Sequence, residues 1–134
     1  MSTFRNIEEA KDFFKDDRFA MVNGMTITEL SEEGCICEMD ITDDHRNAIG
    51  GIMGGVIFTL GDFACAVASN NRHCPTVAMD VNINFLSSSK GVHLKAEAVL
   101  VKEGRTTSVF QINITDEMEK KVALFTGTGY KLQK

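Results

Sequence analysis

The sequence predicts an α+β domain in which a curved antiparallel β-sheet wraps one long central helix and a short helix precedes both. Residues 54–70 are apolar almost all round, as in a helix that is buried on every side. The segments before and after them mostly alternate apolar and polar residues, which indicates strands with one buried face. Short connections between these segments favour antiparallel neighbours.

Length and composition indicate a single globular domain over residues 1–134. The chain is long enough to bury a sizeable core, and its content of 43% apolar and 25% charged residues is ordinary. Its net charge of -5 argues against a general nucleic-acid-binding surface. The N-terminus shows no signal pattern, and glycines and an aspartate interrupt the apolar run at 49–68. We therefore expect a cytoplasmic protein with neither nucleic acid nor membrane as a partner.

The segment before the long helix predicts one short helix and a hairpin. Residues 6–16 have an amphipathic pattern with Asn6 as the helix cap. Residues 24–30 and 34–42 have strand patterns on either side of a glycine turn. Residues 43–53 are polar and then glycine-rich, so we expect a loop there.

Four further strands are predicted after the long helix. Their approximate ranges are 76–85, 92–100, 108–114 and 122–132. The first has the clearest alternation: Val77, Met79, Val81, Ile83 and Phe85 on an apolar face, and Thr76, Ala78, Asp80, Asn82 and Asn84 on a polar face. A helix that is apolar all round needs cover on every side, which this sheet and a second subunit would supply together.

The four cysteines predict packed core thiols. Without a secretory signal, reduced thiols are expected. Cys35 and Cys37 point to one face of a strand and, with His73 and Cys74, form a conceivable zinc site. The usual C-x-x-C spacing is absent, so we expect no metal.

A glycine pair, Gly54 and Gly55, opens the long helix. The first N–H groups of a helix lack internal partners and lie at the positive end of its dipole. Such groups can hold a carbonyl oxygen that gains negative charge during a reaction. The alternative is that the two glycines only allow a sharp turn into the helix.

Asp62 interrupts the apolar helix. An ionised carboxylate there is unfavourable unless it has partners or borders a cleft. Partial burial raises the pKa of a carboxyl group, which suits a base or a nucleophile. The alternative is that Asp62 is structural and accepts hydrogen bonds from the backbone of a neighbouring loop.

The spacing of these groups predicts a dimer. Asp62 follows Gly54 by eight residues, or roughly 12 Å along one helix. A catalytic base acts within about 3 Å of its target or through one water. If both groups are catalytic, two antiparallel helices from two subunits must meet, which gives a symmetric dimer with two shared sites.

The stretch 45–62 resembles a known motif. It has the pattern His45-x-Asn47-x-x-Gly50-x-x-Met53-Gly54-Gly55-(x)4-Leu60-x-Asp62. The pattern resembles that of hotdog-fold thioesterases of the phenylacetate-degradation (PaaI-like) branch, His-x-Asn-x-x-Gly-x-x-His-Gly-Gly-(x)4-Leu-x-Asp. Residues 77–91 and 104–128 also resemble the family's later strands, so the resemblance covers nearly the whole chain.

The resemblance implies an enzyme that hydrolyses an acyl-CoA thioester without a metal or redox cofactor, as a homodimer or a dimer of dimers (a homotetramer). It implies that the Gly54 N–H polarises the thioester carbonyl. Asp62 from the partner subunit acts as nucleophile or general base, and Asn47 positions water or substrate.

The resemblance also implies substrate-binding residues. Gly55 and His45 shape the turn before the helix, and the acyl chain enters between subunits. Its expected lining residues are Phe58, Leu60 and Phe63. The coenzyme's phosphates lie toward two surface turns, where Lys90 and Arg105 are candidate contacts; ordinary solvated cations are the alternative for each.

Two positions depart from the family pattern. Met53 replaces the usual histidine before the glycine pair, and Ala78 stands where some relatives have a hydroxyl residue that orients water. These departures keep open a non-catalytic module that binds or senses acyl thioesters. A hotdog dehydratase or hydratase ranks last, because it usually needs a histidine on the helix and none lies between Met53 and Asn71.

Overall fold

The computed structural model describes residues 2–133 and contains a helical N-terminal segment, one long helix and a single six-stranded sheet. A turn of 3-10 helix, Asp43–His45, leads into the long helix. The helices are α1 (Ile7–Phe14), α2 (Arg18–Val22) and α3 (Gly54–Arg72). The strands are β1 (Thr26–Leu30), β2 (Gly34–Asp40), β3 (Thr76–Phe85), β4 (His93–Glu103), β5 (Thr107–Asp116) and β6 (Lys121–Lys131). The predicted α+β architecture with a long central helix is confirmed.

The N-terminal segment differs from its prediction, because it contains two helices instead of one. Asn6 caps α1 as predicted, its Oδ1 accepting from the Glu9 N–H at 2.9 Å. Helix α1 ends at Phe14, whose ring packs edge-on against Phe63 of α3. The second helix, α2, has only five residues, too few to show a hydrophobic period.

The strand order is β1-β2-β4-β5-β6-β3, and all pairs are antiparallel. The prediction that successive strands pair is correct for β1–β2, β4–β5 and β5–β6 and wrong for β3. Helix α3 lies against β2 to β6 and carries the chain from β2 to the opposite edge of the sheet. Strand β3 therefore pairs with β6, and its other edge is unpaired within residues 2–133.

A β-bulge at Met79 corrects the predicted alternation along β3. Ala78 pairs with Gly129 but Asp80 pairs with the next residue, Thr128, so Met79 is the additional residue. Because the bulge shifts the side-chain period by one, Ala78 lies opposite the buried Gly129, on the inner face. A regular alternation without a bulge predicts Ala78 on the polar face, which is wrong.

Helix α3 is not covered on every side within the protomer. Its inner side is buried against the sheet, and the Phe125 ring comes so close to Gly61 that a side chain there would clash. Its outer side forms a stripe at helical spacing, which we call the open face: Gly55, Thr59, Asp62 and Ala66. None of these four residues is buried. No helix within residues 2–133 combines the length and hydropathy needed to cross a bilayer.

Candidate active site

The start of α3 presents two unpaired hydrogen-bond donors. Met53 caps the helix in an extended conformation, and its carbonyl accepts from the N–H groups of Val56 and Ile57. The N–H groups of Gly54 and Gly55 have no partner among residues 2–133. Two free donors therefore lie at the positive end of the helix dipole, next to the open face.

The two glycines lie in closely packed surroundings and do not have an unusual backbone angle. Positive φ values occur at Gly24 and Gly50 and not at the pair, so neither Gly54 nor Gly55 has a left-handed conformation. A Cβ on Gly54 would lie 3.3 Å from the Phe85 ring, and one on Gly55 would lie 3.0 Å from the Met53 Cε. Two side chains thus pack closely around the free donors.

Asn47 uses the oxygen of its side-chain amide to hold the loop before α3. Its Oδ1 accepts from the N–H groups of Ile49 at 3.1 Å and Gly51 at 3.0 Å. Only the Nδ2 group is left to act on a ligand, and that group donates. Asn47 is therefore suited to donate to a substrate carbonyl or to a water lone pair.

His45 joins the loop to α2. Its Nδ1 accepts from the Thr42 N–H at 3.0 Å, so the neutral ring carries its proton on Nε2, which lies 3.0 Å from the Asn23 Oδ1. The His45 carbonyl accepts from the Met53 N–H. Both ring nitrogens are used inside the protein, so His45 shapes the turn and does not donate to a ligand directly.

Asp62 is a half-buried carboxylate without a partner. It borders a cleft of about 200 Å³ together with Cys65, Ala66, Ser69, Thr76, Val77, Ala78 and Gly129. Burial raises the pKa of Asp62, and the charge of Asp17 raises it further. Its side chain makes no hydrogen bond or ion pair with any described residue. The alternative of a structural aspartate that bonds a neighbouring loop is therefore unsupported.

The thiols do not provide a competing nucleophile. Burial raises the pKa of Cys65, beside Asp62, to about 12, so the thiol stays protonated at neutral pH. Cys35 and Cys37 are buried beneath α3, where the Cys35 Sγ donates to the Ala64 carbonyl. Within residues 2–133 no group of three His, Cys, Asp or Glu side chains is arranged to hold a metal ion.

A second cleft, of about 320 Å³, lies on the side of α3 near its start. Its lining residues are Phe19, Asn23, Met25, Asp44, His45, Met53, Gly55, Val56 and Thr59. Phe19 comes from α2, which sequence reasoning missed because so short a helix gives no periodic signal. The two clefts share no residue. Gly54 and Asp62 lie eight residues apart on α3, roughly 12 Å along its axis, so one chain does not bring them together.

The expected lining of the acyl site needs correction. Phe58 is partly exposed and packs on the Phe125 ring, whose centroid is 5.5 Å away. Leu60 is fully buried in the core, and Phe63 packs against Phe14 beside a cavity of about 150 Å³ under α1. Leu60 and Phe63 lie on the inner side of α3, away from its open face.

The two candidate phosphate contacts lie at opposite ends of β4. Lys90 is exposed beside Ser89, whose carbonyl accepts from the Ile52 N–H in the loop before α3. Arg46, which sequence reasoning missed, bonds the Gly91 carbonyl at 3.0 Å in the same region. Arg105 follows the far end of β4, roughly 36 Å away along its 11 residues. The two predicted cations of one protomer cannot hold one phosphate group.

Comparison with known proteins identifies the family. A family model of the thioesterase superfamily matches residues 49–123. The chain is 32% identical to a putative esterase of Archaeoglobus fulgidus, over 94% of this chain and 83% of that protein. It is 30% identical to the acyl-coenzyme A thioesterase PaaI of Escherichia coli, over 93% of this chain and 90% of PaaI.

A human relative and a solved structure also match this chain. The chain is 31% identical to human acyl-coenzyme A thioesterase 13, over 86% of this chain and 85% of that protein. The structure of the Escherichia coli PaaI protein superposes with a TM-score of 0.89 at 29% identity, covering 94% of this chain and 92% of the other. The chain therefore belongs to the thioesterase superfamily and is a PaaI-like hotdog-fold thioester hydrolase.

Proposed function

We propose that this protein is a homodimeric acyl-CoA thioesterase that hydrolyses acyl- or aryl-CoA to the free acid and CoA. The observation that carries the proposal is the combination of unpaired N–H donors at Gly54 and Gly55 with an unpaired, half-buried carboxylate at Asp62. The relatives named acyl-coenzyme A thioesterase support the substrate class.

The open face of α3 supports a two-fold pairing of two α3 helices. If two antiparallel helices place Gly54 of one protomer opposite the partner subunit's Asp62, the two-fold axis passes near Phe58. The open face then lies between the helices. Its small side chains at Gly55, Thr59 and Ala66 allow the two helices to approach closely.

Strand β3 is compatible with the same axis. Phe85 packs on Gly54, and Ala78 shares a cleft with Asp62. The rotation that places Gly54 opposite the partner subunit's Asp62 therefore also places Phe85 opposite the partner subunit's Ala78. The two unpaired β3 edges then meet near Val81, which would cover the apolar surface of the edge. A dimer of dimers would use a further surface.

In the proposed reaction the substrate carbonyl oxygen accepts from the Gly54 N–H. Asp62 of the other protomer attacks the carbonyl carbon or removes a proton from the attacking water. The N–H donors stabilise the negative charge that develops on the oxygen. When Asp62 is the nucleophile, the carbon–sulfur bond breaks to give a mixed anhydride with Asp62, which water then hydrolyses; when Asp62 is the base, water adds to the carbonyl carbon and the same bond breaks. In both cases water supplies the new oxygen of the acid and the proton that the CoA thiolate takes up. A carboxylate, amides and water suffice, so we assign no cofactor.

The coenzyme is proposed to lie near the loop before α3. Lys90 and Arg46 give this region positive charge for the phosphates. Arg105 is retained as a contact from the partner subunit, whose α3 runs in the opposite direction. Four free cysteines fit a reducing compartment and support a cytoplasmic location.

The direct test is the release of free thiol from a panel of aryl- and straight-chain acyl-CoA thioesters. We expect steady turnover of at least one member. Saturable binding of thioesters without thiol release would instead favour the non-catalytic binding module. An absence of turnover across a broad panel would end the proposal.

The proposed dimer leads to a separate prediction about the unpaired edge of β3. Met79→Lys should give a monomer that has lost hydrolysis, because a lysine on a strand edge opposes pairing and each site needs two subunits. Val101→Lys is a matched control: both side chains are 60% exposed and both lie at bulges, but Val101 is on β4. Light scattering after size-exclusion chromatography measures the mass, and thiol release measures activity. A fully active Met79→Lys monomer would contradict the shared site.

A further inference from the structure

Phe85 has an exposed ring beside the free donors. It ends β3, pairs with Ala123 and is 54% exposed. Three of its ring carbons lie 3.3 to 4.0 Å from the Cβ position of Gly54. One side of the ring therefore packs on the first residue of α3, while the remaining ring surface is open.

Met53 contributes a second wall. Its Cε lies 3.0 Å from the Cβ position of Gly55, and the side chain is 50% exposed. Neighbouring Cβ directions on a helix differ by about 100°. The Phe85 ring and the Met53 thioether therefore contact different sides of the first turn of α3, whose Gly54 and Gly55 N–H groups are free, and we call the region between them the slot.

The slot constrains any acyl group that the donors hold. A carbonyl oxygen that accepts from the Gly54 N–H lies about 2.9 Å from that nitrogen. The carbonyl carbon and its neighbour in the acyl chain then lie beside the first turn of α3, which the Phe85 ring and Met53 contact. In the proposed dimer Phe85 also faces the partner subunit, which closes the slot further.

We propose that Phe85, with Met53, is a specificity-determining residue that admits acyl groups unbranched at the carbon next to the carbonyl and rejects branched ones. This inference rests on the proposed thioesterase function. An additional methyl group at that carbon must displace the ring or the thioether. A misfit of one methyl group in a packed site changes kcat/KM by about 10- to 200-fold.

The test compares two isomeric thioesters, pentanoyl-CoA and 2-methylbutanoyl-CoA. We expect the wild-type protein to prefer the unbranched isomer by at least about tenfold in kcat/KM. Phe85→Ala should lower that ratio by about tenfold by raising kcat/KM for the branched isomer. Met53→Ala removes the side chain on the other side of the slot and should lower the same ratio. The two variants are measured separately, so a folding defect in one of them does not decide the result.

Phe13→Ala is the matched control, because Phe13 is also half-exposed but lies on α1. The Phe13→Ala variant should have the same ratio of kcat/KM for the two isomers as the wild-type protein. Equal use of both isomers by the wild-type protein, or an unchanged ratio in both opened variants, would overturn the inference while leaving the thioesterase intact. Failure to hydrolyse either isomer or any member of the wider panel would refute the proposed function instead.

Discussion

Asp62→Asn is expected to lower kcat by about 100- to 10,000-fold, the usual contribution of a positioned acid or base, while the protein remains folded and dimeric. Asparagine keeps the shape of the side chain but neither takes up a proton nor attacks a carbonyl carbon. Because Asp62 has no partner among residues 2–133, its replacement leaves no group unsatisfied. Thiol release and the mass in solution measure the two parts of the prediction.

The same variant should be more stable than the wild-type protein at neutral pH. Burial raises the pKa of Asp62 above its usual value of 3.8, so the folded state binds this proton more tightly than the unfolded state does. The contribution of Asp62 to the stability of the wild-type protein therefore falls as pH rises from 3.8 through the raised pKa. The stability advantage of the Asp62→Asn variant should be largest above that pKa and should disappear in acid, as thermal unfolding across pH will show.

Asp17→Asn provides the matched control for Asp62. The charge of Asp17 contributes to the raised pKa of Asp62. Its removal should move the acidic limb of the pH profile of kcat/KM to lower pH and should leave the plateau unchanged. Full activity of Asp62→Asn would remove the carboxylate from the mechanism. A loss in Asp17→Asn as large as in Asp62→Asn would point to a general defect.

Gly54→Pro is expected to reduce kcat by about 100- to 1,000-fold relative to Gly54→Ala, because only the proline removes the backbone N–H. Gly54 is the first residue of α3, where proline is well tolerated. Met53, with φ -62° and ψ 136°, already has the extended conformation that a residue before proline requires.

Both substitutions at Gly54 place a Cβ against the Phe85 ring, so the steric effect of the Cβ is shared. The ratio of their kcat values therefore reports the replacement of the N–H group by the ring carbon of proline. Circular dichroism and thermal unfolding establish that both variants keep the fold. Equal kcat values would show that this amide does not bind the carbonyl oxygen, and the remaining donor at Gly55 would become the one to test.

Several features were predictable because they depend on residues close together in the chain. The start of α3 at Gly54 follows from the change from a polar loop to a continuous apolar run, and the Asn6 cap follows from one turn of helix. The separation of Gly54 from Asp62 follows from helix geometry alone. The short α2 and the pairing of β3 with β6 gave no local signal, because they depend on where α3 carries the chain.

The amino-acid sequence by itself determined the fold class, the central helix and the spacing that requires two subunits for the proposed site, since periodicity and helical rise are local properties. Only the tertiary structure decided which side chains surround the site. The bulge at Met79 turns Ala78 toward Asp62, and the Phe85 ring closes on Gly54. These contacts join segments more than 15 residues apart, and packing between strands and helix, rather than any local pattern, sets them.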